Sequence, residues 1–156
     1  MKNHALISIL LVILVFTFGC KKEKDETSGS AASFSAKVEG TLWPAAIIMA
    51  THFTDGNLTT ITAAGGVPSD QISLDIKGSG TGTFIMNDDN MGSVTIGNSS
   101  FTSMFSSNPV GQVLITRYDA ENKLISGTFY FNGEDLDGKV YHVTEGKFEN
   151  IELTIY

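Results

Sequence analysis

The sequence is short of the residues on which most catalytic chemistry depends. It holds one cysteine and three histidines in 156 residues, and only 17% of its side chains are charged, against about 25% in ordinary globular domains. A single thiol excludes an internal disulfide and any Cys-x-x-Cys metal knuckle. There is no Gly-x-Ser-x-Gly elbow for a serine nucleophile and no His-Glu-x-x-His pair for zinc. Basic residues are scarce too: ten Lys and Arg stand against 17 Asp and Glu. That balance argues against nucleic acid, whose phosphates demand a basic footprint. It also gives no electrostatic pull towards anionic lipid. Gly, Ser and Thr take the place of charge, which suits short strands and tight turns better than long surface helices.

What is present begins with a leader. Lys2 supplies a positive start, with His4 beside it, and Ala5 to Phe18 is an almost unbroken apolar run, ALISILLVILVFTF. As a helix its fourteen residues would span about 21 Å, short of the roughly 30 Å hydrocarbon core of a bilayer. The run therefore reads as the apolar region of a signal peptide over residues 1–19 rather than a membrane span. It ends in Thr17-Phe18-Gly19-Cys20, which resembles the bacterial lipobox. A thiol is needed there to take the diacylglyceryl group, and a small residue must precede it to fit the peptidase. Gly19 and Cys20 satisfy both, while Thr17 departs from the usual leucine. Cys20 is thus the expected lipidation site and mature N-terminus. Two acyl chains suffice for stable attachment, so the membrane is the first expected partner. With Lys2 removed, nine basic residues face 17 acidic ones, a formal charge of −8.

Residues 20–33 form the next unit. Lys21 to Ser33, KKEKDETSGSAAS, has no large apolar side chain, and such a segment cannot bury enough surface to fold by itself. Extended, its thirteen residues reach about 45 Å. The lysine-then-acidic order after Cys20 resembles the segment behind the lipid cysteine in surface lipoproteins of Bacteroidota-type bacteria. That likeness implies the cell envelope and an outer-membrane address, with the outward face open to it. A solvated linker explains the same residues.

From residue 34 to 156 the period is two, as in half-buried strands. Phe34, Ala36 and Val38 alternate with polar residues, as do Ile72, Leu74 and Ile76, and Ile151, Leu153 and Ile155. Less regular candidates are Leu58–Ala64, Gly82–Met86, Val94–Ile96, Gln112–Tyr118, Leu124–Asn132 and Val140–Thr144. Turn chemistry separates them at Asp55-Gly56, Gly78-Ser79-Gly80, Asn87-Asp88-Asp89, Glu121-Asn122, Asp137-Gly138 and Glu145-Gly146. The prediction is one all-β antiparallel domain, a β-sandwich or flattened barrel, with a lipocalin-like meander barrel as the alternative. Gly82-Thr83-Phe84-Ile85-Met86-Asn87 also echoes Gly127-Thr128-Phe129-Tyr130-Phe131-Asn132.

Gly40-Thr41-Leu42-Trp43-Pro44-Ala45, Ile115-Thr116-Arg117-Tyr118-Asp119, Ile125-Ser126-Gly127-Thr128-Phe129 and Glu145-Gly146-Lys147-Phe148-Glu149-Asn150-Ile151 together resemble a family of small, uncharacterised Bacteroidota lipoproteins. The likeness covers most of the mature domain. It rests on glycine, aromatic and strand residues, so it implies an all-β lipoprotein and carries over no catalytic residue.

Candidate chemistry is thin. His142 shares a strand phase with Val140 and Thr144 and reads as a hydrogen-bonded sheet histidine; His52 is the other histidine left after processing. Asp135-Leu136-Asp137-Gly138 has two carboxylates and a glycine, as calcium loops do, but lacks the oxygen ligands to complete a site. A hairpin turn is the plainer reading there and at Asn87-Asp88-Asp89-Asn90. Asn90 to Thr116 is the most unusual stretch, 27 residues without one charge. Phe101, Met104 and Phe105 within it line either a partner site or the core. Trp43 beside Pro44 reads as a core plug at the mouth of the sheet.

These readings point to a non-catalytic, membrane-anchored envelope lipoprotein that binds a protein, glycan or small-molecule ligand or serves a structural role, with no cofactor or metal site. Two further functions fit the same residues: a lipocalin-like carrier of an apolar ligand, and an envelope hydrolase using paired carboxylates.

Overall fold

The computed structural model describes residues 31–65, 69–106 and 108–156. The expected signal peptide, Cys20 and nearly all of the tether lie outside the described residues. Ten strands and one short 3-10 helix follow in order: β1 (Ser33–Val38), β2 (Thr41–Phe53), β3 (Leu58–Gly65), β4 (Gln71–Lys77), β5 (Gly82–Ile85), β6 (Met91–Ile96), β7 (Ser99–Thr102), η1 (Ser103–Phe105), β8 (Gly111–Asp119), β9 (Leu124–Glu134) and β10 (Val140–Ile155).

Eight of the strands close into an antiparallel barrel, β1-β2-β3-β4-β6-β7-β9-β10, with β10 returning to β1. The architecture is a closed antiparallel β-barrel, the barrel form of the expected all-β domain. Closure comes from pairing the two ends of the domain: Phe34 faces Phe148 and Val38 faces Val143. Below the start of β1 the seam continues as a short parallel pairing of Ala50–His52 with Leu153–Ile155. Strands β8 and β5 extend the wall beside the lower part of β9. Between β4 and β5 the ladder is replaced by one side chain. The buried Asn90 amide donates to the Ile85 carbonyl at 3.0 Å and accepts from the Lys77 backbone N–H at 2.9 Å.

The inside is filled with side chains. Phe34, Phe129, Phe131 and Phe148 form one aromatic cluster, with Phe34 and Phe129 centroids 5.1 Å apart, surrounded by Ile61, Ile72, Leu74, Val113, Ile125 and Leu153. Room for the rings is made by glycines. A Cβ at Gly92 would come within 2.6 Å of the Phe131 ring, at Gly127 within 2.6 Å of Phe148, and at Gly146 within 2.6 Å of Phe129. Outward positions on β1, β4 and the middle of β10 are polar, among them Lys37, Asp75, Lys147 and Glu152. No helix among the described residues is long and apolar enough to cross a membrane.

Two sequence expectations need correction. Glu145-Gly146 is no turn: β10 runs through it as a bulge, with Glu145 at φ 51° and the register shifting between Val143 and Gly146. An extra residue in one strand bends it without ending it, so Val140–Thr144 and Ile151–Ile155 belong to one strand. The strand β2 was not foreseen. Its register shifts between Ala45 and Ile47, so the inward phase changes from Trp43 and Ala45 to Ile48, Ala50 and His52. The echo, by contrast, has a structural counterpart. Its two copies, β5 and the middle of β9, flank β8 in matching register: Gly82 and Gly127 both face Ile115, and Phe84 and Phe129 both face Val113.

Candidate functional site

One surface that departs from a polar barrel exterior is built by β5, β8 and β9. Register places Ile85, Gln112 and Tyr130 in one row across the three strands, and Thr83, Leu114 and Thr128 in the next. The residues between them on each strand point inward, so Ile85, Leu114 and Tyr130 are left facing solvent, Tyr130 with 44% of its surface exposed. Above them, η1 packs against β6 and β9 and carries Met104 and Phe105 outward, 62% and 48% exposed. Thr102 caps this turn by accepting the Met104 N–H, and Ser103 turns inward to accept the Gly92 N–H at 3.0 Å. The uncharged stretch from Asn90 to Thr116 is therefore divided. Phe101 is a core residue, while Met104, Phe105, Val110 and Leu114 are on the surface.

A cleft of about 320 Å³ adjoins this face, lined by Gln112, Thr128, Tyr130, Glu145, Gly146 and Lys147 among others. The β10 bulge opens it. Glu145 on its rim pairs with Lys37 at 2.8 Å, and Lys147 pairs with Glu149 at 2.9 Å. Both pairs are exposed, so they orient side chains and contribute little stability. The surface thus joins an apolar, aromatic area to a rim of both charge signs.

A second cleft, about 220 Å³, lies at the upper mouth of the barrel between Val38, Thr41, Leu42, Trp43, Ile96 and Tyr141, with Glu39 on its rim. Trp43 is the expected plug, 8% exposed, edge-on to Phe34 and packed over Gly65. Tyr141 stacks on Phe101 at 4.0 Å, and the Lys139 ammonium sits 4.8 Å above the Tyr141 ring. Gly133 makes that stack possible, since a Cβ there would run into Phe101. A third cleft, on the seam between β2 and β10, is lined by Ile48, Met49, Thr51, Glu152, Thr154 and Tyr156.

The remaining candidates take structural positions. The His142 ring Nδ1 lies 2.9 Å from the Asn132 side-chain oxygen on β9, as a sheet histidine should. His52 is buried, its Nδ1 3.0 Å from the Thr59 hydroxyl, which donates to the Gly78 carbonyl. Tyr118 packs edge-on to His52, and burial raises its pKa above the ordinary value, opposed by a hydrogen bond with Thr59. Asp135 accepts the Asp137 and Lys139 N–H groups, and Asn87 accepts those of Asp89 and Asn90; both segments are turns. Among the described residues no group of three or more His, Cys, Asp or Glu is placed to hold a metal. The clefts described above are each lined by one carboxylate, Glu145, Glu39 or Glu152. Cys20 lies outside the described residues.

A family model for a domain of unknown function, DUF6252, matches residues 30–152, which is the barrel from the start of β1 into the last turn of the β10 wall. The chain belongs to the DUF6252 family. No curated protein and no solved structure matches it. For this DUF6252 domain the family likeness is therefore to an uncharacterised group, in keeping with a resemblance that rested on glycines and aromatics. Those residues are now seen seating the core: Gly127 under Phe148, Gly146 under Phe129, and Trp43 over Gly65. Sequence reasoning missed Ile85, Leu114 and Tyr130 as surface residues. The run Thr83-Phe84-Ile85-Met86 is apolar in both phases from Phe84 onward, so alternation alone does not say which side faces out.

Proposed function

We propose that this DUF6252 chain is a lipid-anchored, non-catalytic binding module of the bacterial cell envelope. In this reading Cys20 is its acylated N-terminus, and the face of Ile85, Leu114, Tyr130, Met104 and Phe105 is its recognition surface. One observation carries the binding reading: a barrel whose interior is already filled still leaves Ile85, Leu114 and Tyr130 exposed on adjoining strands. Exposed apolar groups gathered on one face mark a contact surface. A carrier would need the volume that Phe34, Phe129, Phe131 and Phe148 take up. The lipobox-like Thr17-Phe18-Gly19-Cys20 and the apolar run before it support the anchor. The lysine-then-acidic segment after Cys20 supports an outer-membrane address of the Bacteroidota type.

The recognition face is tested by placing a photo-crosslinking amino acid at Tyr130 or Phe105, with Ser73 on β4 as control, and irradiating intact cells. Adducts at 130 and 105 but not at 73, abolished by Leu114→Asp, are expected. Equal adduct patterns at all three positions would remove the face from the account. Protease shaving of whole cells reads the address: loss of the domain from untreated cells places it outside, and survival until the outer membrane is opened places it inside.

A further inference from the structure

The barrel has a second unusual wall, and it lies where the chain enters the fold. The 13 residues of β2 and the eight of β3 contain no Asp, Glu, Lys or Arg. The bulge in β2 turns both Ala46 and Ile47 outward, and the outer side of the strand carries Leu42, Ile47, Met49 and Phe53, of which Leu42, Ile47 and Met49 are each more than half exposed. The chain's last residue, Tyr156, stacks on Phe53 at 5.9 Å and extends the apolar line at the lower end. Beside it, β3 presents Thr60, Thr62 and Ala64. Charges lie at the borders: Lys37 on β1, opposite Leu42 and paired with Glu145, Asp55 in the β2–β3 turn, Asp75 on β4, held by the Thr60 hydroxyl, and Glu152 on β10.

We propose that this β2–β3 wall lies against the bilayer that holds the acyl chains, so that the domain rests on lipid by a defined side. The proposal rests on the lipid anchor of the preceding section and adds an orientation to it. Three features select lipid as the occupant. First, β1 begins at Ser33 between β10 and β2, so the chain leading from Cys20 joins the barrel at the edge of this wall. Second, the twelve residues from 21 to 32 span at most about 43 Å, which keeps the bilayer at high effective concentration beside the wall. Third, a domain of net negative charge is repelled by an anionic leaflet through its acidic sides, and β2–β3 offers a broad surface without carboxylates. Leu, Ile and Met side chains with a Phe–Tyr pair at one end suit the headgroup boundary, where an apolar face settles by about 5–10 Å. The face of Ile85, Leu114 and Tyr130 lies across the barrel from β2, so this orientation turns it towards the aqueous side.

Acylation consumes the only native thiol, so a single introduced cysteine reports one position. Full-length lipidated protein carrying Met49→Cys, Ile47→Cys or Thr128→Cys is labelled with an environment-sensitive fluorophore. It is then reconstituted into vesicles of three parts phosphatidylethanolamine to one part phosphatidylglycerol, with and without nitroxide-labelled lipid. At positions 47 and 49 a blue-shifted emission and quenching by the nitroxide, about twofold or more over position 128, are expected. Emission at 49 as water-like and as unquenched as at 128, in protein that floats with the vesicles, overturns the orientation and leaves the anchor standing. A blue shift without nitroxide quenching that fades on dilution assigns the wall to a second copy and also overturns it. Protein that does not float, and whose position 20 still titrates as a free thiol, removes the anchor and the orientation together.

Discussion

Two side chains show how single residues hold the barrel where its ladder is incomplete. Asn90 stands in for a missing strand pairing, joining the Lys77 N–H of β4 to the Ile85 carbonyl of β5. Asn90→Leu keeps the size and strands both backbone groups, and leaving a buried donor or acceptor unpaired costs about 1–3 kcal/mol. A lower urea midpoint with an unchanged denaturant slope is the expected result; a midpoint equal to wild type would mean that β4 and β5 do not depend on the bridge. Asp119, at the end of β8, accepts the Asn122 N–H at 2.9 Å, the Arg117 guanidinium at 2.8 Å and the Asn122 amide at 2.9 Å. These contacts, the backbone bond first, hold its pKa at about 2 against an ordinary 3.8. The folded carboxylate is thus the favoured form. Its contribution to stability is complete above the unfolded value and is lost as pH falls through about 2. Carboxyl NMR titration should give Asp119 a midpoint near 2, and Asn122→Ala should move it up; a midpoint near 4 would contradict the turn geometry. In the sequence Asp119 was visible only as the end of the Ile115–Asp119 motif, because its partners Arg117 and Asn122 act through a turn whose shape periodicity does not encode.

At the level of strands, the regular ones were legible and the irregular ones were not. β1, β4 and the last third of β10 alternate cleanly because one face is core and the other water. β2 hides itself: its bulge inverts the phase, so Trp43 and Ile48 are both inward at an odd separation, and Pro44 interrupts the pattern further. β7 is only four residues long inside the uncharged stretch. The bulge at Glu145 looked like a turn because positive φ and a following glycine serve both purposes. What composition did foreshadow, without showing why, is the abundance of glycine. The 16 glycines include those that let aromatic rings lie directly on neighbouring strands. Gly127→Ala pushes a methyl group into the Phe148 ring and the Leu114 carbonyl; overpacking of this kind costs about 1–3 kcal/mol. Gly138→Ala, in an exposed turn with φ 80° and no ring nearby, separates the two reasons for glycine. It should cost less, by backbone strain alone, of order 1 kcal/mol. Thermal unfolding of both variants reads the order, and a larger loss for Gly138→Ala would contradict the ring-seating account of Gly127.

For the molecule as a whole, closure could not be read locally, since the seam joins Ser33–Val38 to residues more than a hundred positions away. The same pairing puts the tether's end beside the uncharged β2–β3 wall and leaves the Ile85–Leu114–Tyr130 face across the barrel from it. Neither surface was evident from residues alone, because an exposed leucine in a strand has the same letter as a buried one. Both surfaces gain their meaning from the anchor: without it, the tether has nothing to reach and the wall nothing to rest on. The most direct measurement is the intact mass of the protein purified from envelopes, with fragmentation of its first residues. The account predicts a chain that starts at Cys20 and carries the mass of two or three fatty acyl chains on that residue, lost in Cys20→Ala. A chain that starts at Met1 with an unmodified thiol at position 20 would contradict it.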